Sequence, residues 1–179
     1  MASPLGHVIV GMGVTGAAAG AFGLDGSPAL WMGGAVSACL PDLDLLACLW
    51  GLPYQRVHRQ ATHSLPVLAF LVVASWWVLQ SLQLAVDWRL LVAWTAALWS
   101  HLVLDILCTG PLGGQRHGVP VLWPFTPRRW YVRQPMLPEV NLLECPSPRT
   151  IAGVCLQELL HLAPAACFLI LLGHFRLWG

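Results

Sequence analysis

Lysine is absent from this 179-residue chain, and charge of either sign is scarce. Nine arginines and eight acids make up 9% of the residues. A soluble globular domain carries about 25% charged residues, so this chain has too few to cover a water-facing surface. The net charge of +1 excludes the strongly basic face that nucleic-acid binding needs, and no nucleic-acid partner is expected. Six cysteines (39, 48, 108, 145, 155 and 167) never form a C-x-x-C pair. Most lie in apolar runs, where cysteine behaves as a small hydrophobe. Neither a disulfide framework nor a cysteine-type zinc site is expected. No cation precedes the first apolar run, so a cleaved signal peptide is not expected either.

What the chain has instead is apolar sequence: 57% hydrophobic residues and a mean hydropathy of +0.68. A bilayer crossing needs about 20 predominantly apolar residues. Residues 5–24, 28–50, 64–86, 88–108 and 151–177 satisfy that length. The first is glycine-rich, and Gly16-x-x-x-Gly20 invites close approach of another helix. The second is interrupted at Pro41. The reading is an all-α integral membrane bundle of about five transmembrane helices, a single domain over residues 1–179. Before the last helix runs a long loop, 109–150, holding eight of the fourteen prolines and five of the nine arginines. A connection this long is commonly functional, here as an interfacial lid or rim.

Five spans put the chain ends on opposite sides. Seven arginines (56, 59, 116, 128, 129, 133 and 149) then share the N-terminal side, and two (89 and 176) the other. By the positive-inside rule the N-terminal side is cytoplasmic. The expected location is the inner (plasma) membrane, multi-pass, with the C-terminus outside.

Three of the eight acids, Asp42, Asp44 and Asp105, fall beside histidines inside apolar sequence. Such groups cost about 2.5 to 3.5 kcal/mol each at the centre of a membrane helix. At about 1.5 Å per residue, His7, Asp42, His63, His101, Asp105, Glu158 and His161 lie roughly 20 to 35 Å from the extracellular end of their spans, against a core of about 30 Å. All therefore share the cytoplasmic half or its boundary. His101 and Asp105 are four apart and share a helix face. Asp42 and Asp44 converge only where the helix opens, and Pro41 is placed to open it. His58 and His63 bracket a polar turn, in which Thr62 or Ser64 can cap the next helix.

Each element alone has a plain structural reading: a satisfied histidine, a helix-end turn, a buried hydrogen-bonded pair. Together at one depth they point to a bound divalent metal, which neutralises the acids and engages the imidazoles at once. The candidate ligands are His7, Asp42, Asp44, His58, His63, His101 and Asp105. Seven exceed the four ligands of one tetrahedral zinc, so either some stand behind the ligands or two ions bind. Zn²⁺ is the first expectation and Mn²⁺ the second. Asp44 and Glu158 are both candidate general bases, and the sequence does not choose between them. Arg59 lies within the histidine block, and Arg116, Arg128 and Arg129 lie in the long loop. Guanidinium groups hold phosphate bidentately, although the same arginines also serve topology and headgroup contact.

The run Leu40-Pro-Asp-Leu-Asp44, then His58-Arg-x-x-Thr-His-Ser64, then His101-x-x-x-Asp105 with Thr109-Gly110, then Leu122-Trp-Pro-Phe125, preceded by His7, resembles the YdjM-type family of membrane-bound metal-dependent hydrolases. The likeness covers most of the chain, from His7 to about Arg129. Gln60 departs from the small residue common there, which bears on loop shape. A more distant similarity is to zinc-dependent phospholipase C. The resemblance implies a metal hydrolase. With the arginines, the expected activity is cleavage of a phosphoester of a membrane lipid or other amphiphile, of phospholipase C or lipid phosphatase type, with Arg59 assisting. Two alternatives stand beside it: a bundle held together by a metal without catalysis, and a small transporter. An enzyme keeps an open coordination position; a transporter needs access from both sides. Oligomeric state is not legible.

Overall fold

The computed structural model describes residues 2–53, 58–84, 86–110, 118–137 and 147–176. Among them are five α-helices: α1 (Pro4–Phe22), α2 (Pro28–Cys39), α3 (Leu65–Ser81), α4 (Trp88–Cys108) and α5 (Pro148–Arg176). No strand forms among the described residues, only a single antiparallel bridge between Val119 and Trp130. The architecture is the all-helical bundle that the apolar spans require.

Helix starts follow local chemistry. Ser3 caps α1 by accepting from the Leu5 N–H at 3.2 Å, and Pro4 opens the helix, where a missing N–H costs nothing. Ser27 and Pro28 repeat the arrangement for α2, with Ser27 Oγ accepting from Leu30 at 3.3 Å. Asp87 caps α4 through the Arg89 N–H at 2.9 Å. Gly23 ends α1 in the left-handed region at φ 61°, as glycine does at helix ends.

The first helix is the hub. Its glycines bury against neighbours that leave no room for a side chain: Gly11 against Ala38 of α2, then Gly13, Gly16 and Gly20 against Ala166, Ile170 and Gly173 of α5. Those pairs advance together along both helices, so α1 and α5 run parallel. The others alternate in direction: Arg89 at the start of α4 donates to the Phe22 carbonyl at the end of α1.

Among the described residues, four helices are long and apolar enough to cross a membrane: Pro4–Phe22, Pro28–Cys48, Trp88–Cys108 and Pro148–Phe175. The expected third span is shorter than its charge-free sequence suggests. Only 17 residues are helical, about 26 Å at 1.5 Å per residue, because the chain turns out at Leu82 and Gln83 takes φ 56°. Neither Thr62 nor Ser64 caps α3 by its side chain. Ser64 Oγ instead donates to the Trp123 carbonyl, and Leu65 N–H donates to Val121 O at 2.8 Å. Residues 118–137 are further tied to α4 by Val132 N–H to Thr109 O (3.1 Å) and Met136 N–H to Leu107 O (2.9 Å). The described part of the long loop is thus stitched across the ends of α3 and α4.

Candidate metal centre

The second helix sets the geometry. At Leu40 the α-helix tightens into a 3-10 helix, Leu40–Trp50, with Pro41 in its first turn. Residues i and i+2 point about 160° apart on an α-helix but only about 120° apart on a 3-10 helix. Asp42 and Asp44 can then flank the same histidines. His58 and His63 arrive from the turn before α3, His101 and Asp105 from one face of α4, and His7 from the first turns of α1. One end of the bundle gathers all seven.

The contacts are close. His63 Nε2 and His101 Nε2 stand 3.2 Å apart. Asp42 Oδ1 is 3.5 Å from each of them. Two ligand atoms on one tetrahedral zinc, each about 2.0 to 2.2 Å from the ion, stand about 3.4 Å apart. The His63–His101–Asp42 triangle has the edges of one face of that tetrahedron. Asp105 Oδ2 lies 3.5 Å from His63 Nε2. On the other side, His7 Nε2 is 3.6 Å from Asp105 Oδ1 and 4.0 Å from Asp42 Oδ2. Asp42 and Asp105 thus each turn one oxygen toward His63 and the other toward His7.

Behind these atoms lie the groups that orient them. His101 donates from Nδ1 to the Ala38 carbonyl at 2.7 Å, which leaves Nε2 with its lone pair inward. Thr62 Oγ1 donates to Asp44 Oδ2 at 2.7 Å and sits 3.0 Å from His63 Nδ1. Asp44 Oδ1 is 2.9 Å from His58 Nδ1. Ligating histidines characteristically have their second nitrogen fixed in this way. The His7 ring stacks on His101 at 3.6 Å between centroids.

The donor set fits a divalent ion on a second ground. His7 is 1% exposed and Asp105 0%, yet both His7 nitrogens, both Asp42 oxygens and Asp105 Oδ1 make no hydrogen bond. Leaving one buried polar group unsatisfied costs about 1 to 3 kcal/mol, and more for a charged one. Four of these atoms, His7 Nε2, both Asp42 oxygens and Asp105 Oδ1, lie among the other ligand atoms and line a site that can hold a cation. Three overlapping groups can hold an ion: His7–His101–Asp105, Asp42–His63–His101 and Asp44–His58–His63.

A family model described as YdjM inner membrane protein matches residues 1–178. The chain belongs to the YdjM family. The inner membrane protein YbcI of Escherichia coli (strain K12) is 33% identical over 112 residues, which cover 58% of this chain. The chain spans 58% of that relative's length. No solved structure matches.

In this YdjM-family chain the remaining candidates divide. Arg59 is buried, adopts φ 55°, and donates from Nε to Asp105 Oδ2 at 3.1 Å, while its backbone N–H donates to Asp44 Oδ2 at 3.2 Å. It belongs to the cluster. Arg129 instead donates to the carbonyls of Arg59 (3.3 Å) and Gly118 (3.1 Å), so it clamps backbone. Arg128 is exposed and lies over the Trp130 ring at 4.8 Å. Arg116 lies outside the described residues. Glu158 departs from the expected role of base. Its carboxylate accepts from Ser3 N–H, Ser3 Oγ and Gly6 N–H, using the positive end of α1 as an anchor. His161, three residues on, is exposed and bonds the Gln157 carbonyl of its own helix, so the two do not share a cavity. Ser3 was invisible as a partner because 155 residues separate it from Glu158. Thr62 was legible only as a capping residue.

Proposed function

We propose that this YdjM-family chain is a membrane-embedded metal-dependent hydrolase that cleaves a phosphoester of a lipid or other amphiphile at the cytoplasmic leaflet. The observation that carries the reading is the convergence of four imidazoles and three carboxylates in three overlapping groups at one end of the bundle, with His7, Asp42 and Asp105 Oδ1 buried there and unsatisfied by hydrogen bonds. His7, Asp42, His63, His101 and Asp105 would hold one or two ions, zinc first and manganese second. Such an ion supplies Lewis acidity and brings the pKa of water close to about 7.

The chain's own residues do the rest. Asp44 engages His58, Thr62 and the Arg59 N–H, so it fixes the His58 ring and, through Thr62, that of His63. The Asp44–His58 pair is assigned to proton transfer. Arg59 joins the cluster at Asp105 and carries the positive charge that meets a phosphoryl oxygen. Arg128 forms the outer rim, and Arg116 is assigned to it by sequence alone. Loop 109–150 acts as that rim, part of one domain over residues 1–179. Seven arginines against two favour the cytoplasmic orientation of this end.

The test incubates purified protein with phospholipids and isoprenoid phosphates, with and without a chelator. Release of the head group or phosphate that stops with chelator and returns with zinc or manganese is expected. No chelator-sensitive release from any of these substrates would remove the hydrolase reading and leave a metal-stabilised bundle.

A further inference from the structure

A second feature adjoins the cluster. Between α3 and the pair α2–α4 lies a cleft of about 360 Å³, a size usual for small-ligand pockets. Among the described residues, no charged one lines it. Toward the cluster end, Leu68 of α3 and Leu98 of α4 line it and belong with Leu102 to one buried apolar group. Beyond that group Leu71 and Ser75 face Leu91 and Trp94 across it. The cleft wall is fixed on the α4 side: the Trp94 indole N–H donates to Leu30 O at 3.1 Å, and the ring lies over Gly33, where any Cβ would collide with it. The Thr95 hydroxyl is turned to the Leu91 carbonyl at 2.7 Å, so it adds no polarity.

The floor connects this apolar space to the metal centre. Pro41 and Thr62 line the cleft. Pro41 immediately precedes Asp42, and Thr62 bonds Asp44 and contacts His63. One residue of wall separates hydrocarbon space from ligand atoms. We infer that the cleft binds one hydrocarbon chain of an anionic lipid and so delivers its head group to the cluster. This rests on the hydrolase reading for its consequence, but the binding is separable from turnover. Charge complementarity selects the occupant. The described lining of the cleft is uncharged, while the cluster behind Pro41 and Thr62 holds residues that can bind a divalent cation, with the Arg59 guanidinium on Asp105 among them. A molecule matching both is apolar over about 10 Å, the rise from Leu68 to Ser75, and negative at one tip.

The experiment uses the full chain in phosphatidylcholine nanodiscs. Two probes carry a terminal diazirine on one acyl chain, one a phosphatidic acid and one a phosphatidylcholine. After irradiation, mass spectrometry locates the label. The phosphatidic acid probe should label Leu71, Ser75, Trp94 or Leu98, about tenfold more than the phosphatidylcholine probe does. Ser75→Trp, with Leu71→Trp as a second cleft-filling variant, should abolish that label while zinc content is kept. Val73→Trp, on the outward face, should not. Label spread equally over outward residues such as Phe70, Trp77 and Phe168 for both probes would overturn the inference, as would insensitivity to both filling variants. Cleft labelling without any phosphate release would sink the hydrolase reading alone. Turnover without cleft labelling would sink the cleft alone.

Discussion

His63 Nε2 and His101 Nε2 face each other at 3.2 Å, on a turn and a helix 38 residues apart. His101 has committed Nδ1 to the Ala38 carbonyl, so its Nε2 is an acceptor. Two acceptors at this distance repel unless a cation lies between them. A metal ion is one such cation; a proton on His63 is the other.

Burial by itself pushes the His63 pKa down, but the Asp42 and Asp44 carboxylates outweigh it and hold the imidazolium up to about 9. In metal-free protein that proton stabilises the fold fully below the ordinary histidine value of about 6.5, and the contribution is lost as pH rises through about 9. A ligating imidazole must be neutral. Metal binding between those values therefore releases a proton from His63, and apparent affinity climbs with pH until about 9. Calorimetric titration of zinc at neutral pH, in two buffers of different ionisation enthalpy, should show proton release. Identical heats in both buffers would contradict it.

Loss of a central ligand should empty the site without unfolding the bundle. Asp42→Ala and His63→Ala each remove a corner of the 3.2 to 3.5 Å triangle. Purified variants should lose most bound zinc, measured by plasma emission spectrometry, yet retain wild-type helical circular dichroism. Arg128→Ala, at the exposed rim, should keep its metal. Full metal content in both ligand variants would mean the ion binds elsewhere.

Much of this was legible because depth and periodicity are local properties. The rise per residue put His7, His63, His101 and Asp105 at one level, and i, i+4 spacing put His101 and Asp105 on one face. Pro41 marked where Asp42 and Asp44 could converge, and the change to a 3-10 helix at Leu40 is the means. What was not legible depended on distant partners. Glu158 is polar and at the right depth, but its role was decided by Ser3, which caps the neighbouring helix. Arg129 carries a charge suited to phosphate, but the carbonyls of Arg59 and Gly118 take it. The early end of α3 follows from a left-handed Gln83 that no apolar pattern announces.

The Glu158 anchor gives a test that separates support from catalysis. Glu158→Ala strips three donors at the start of α1 of their shared acceptor. Unsatisfied buried donors cost about 1 to 3 kcal/mol each, so three cost about 3 kcal/mol or more, roughly a 6 to 12 °C fall in melting temperature at the lower end for a chain of this size. Glu158→Gln keeps one acceptor oxygen and should recover part of the loss. Both should keep zinc, with weaker binding as His7 loosens. A Glu158→Gln protein with unchanged melting temperature and no turnover would instead make Glu158 a base.

The seam between α1 and α5 should be the bundle's least tolerant surface. A methyl group on Gly20 meets the backbone of Gly173, which has no side chain to rotate away. Relief requires moving α5, and overpacking costs about 1 to 3 kcal/mol even where neighbours can shift. Gly153, on the same helix as Gly173, is exposed and has nothing within 4 Å of an added Cβ. There alanine should gain about 0.5 to 1 kcal/mol of helix preference. Thermal unfolding in detergent should therefore move in opposite directions: down for Gly20→Ala, level or up for Gly153→Ala. Equal shifts in both would show that helix propensity, rather than contact between backbones, governs this pair.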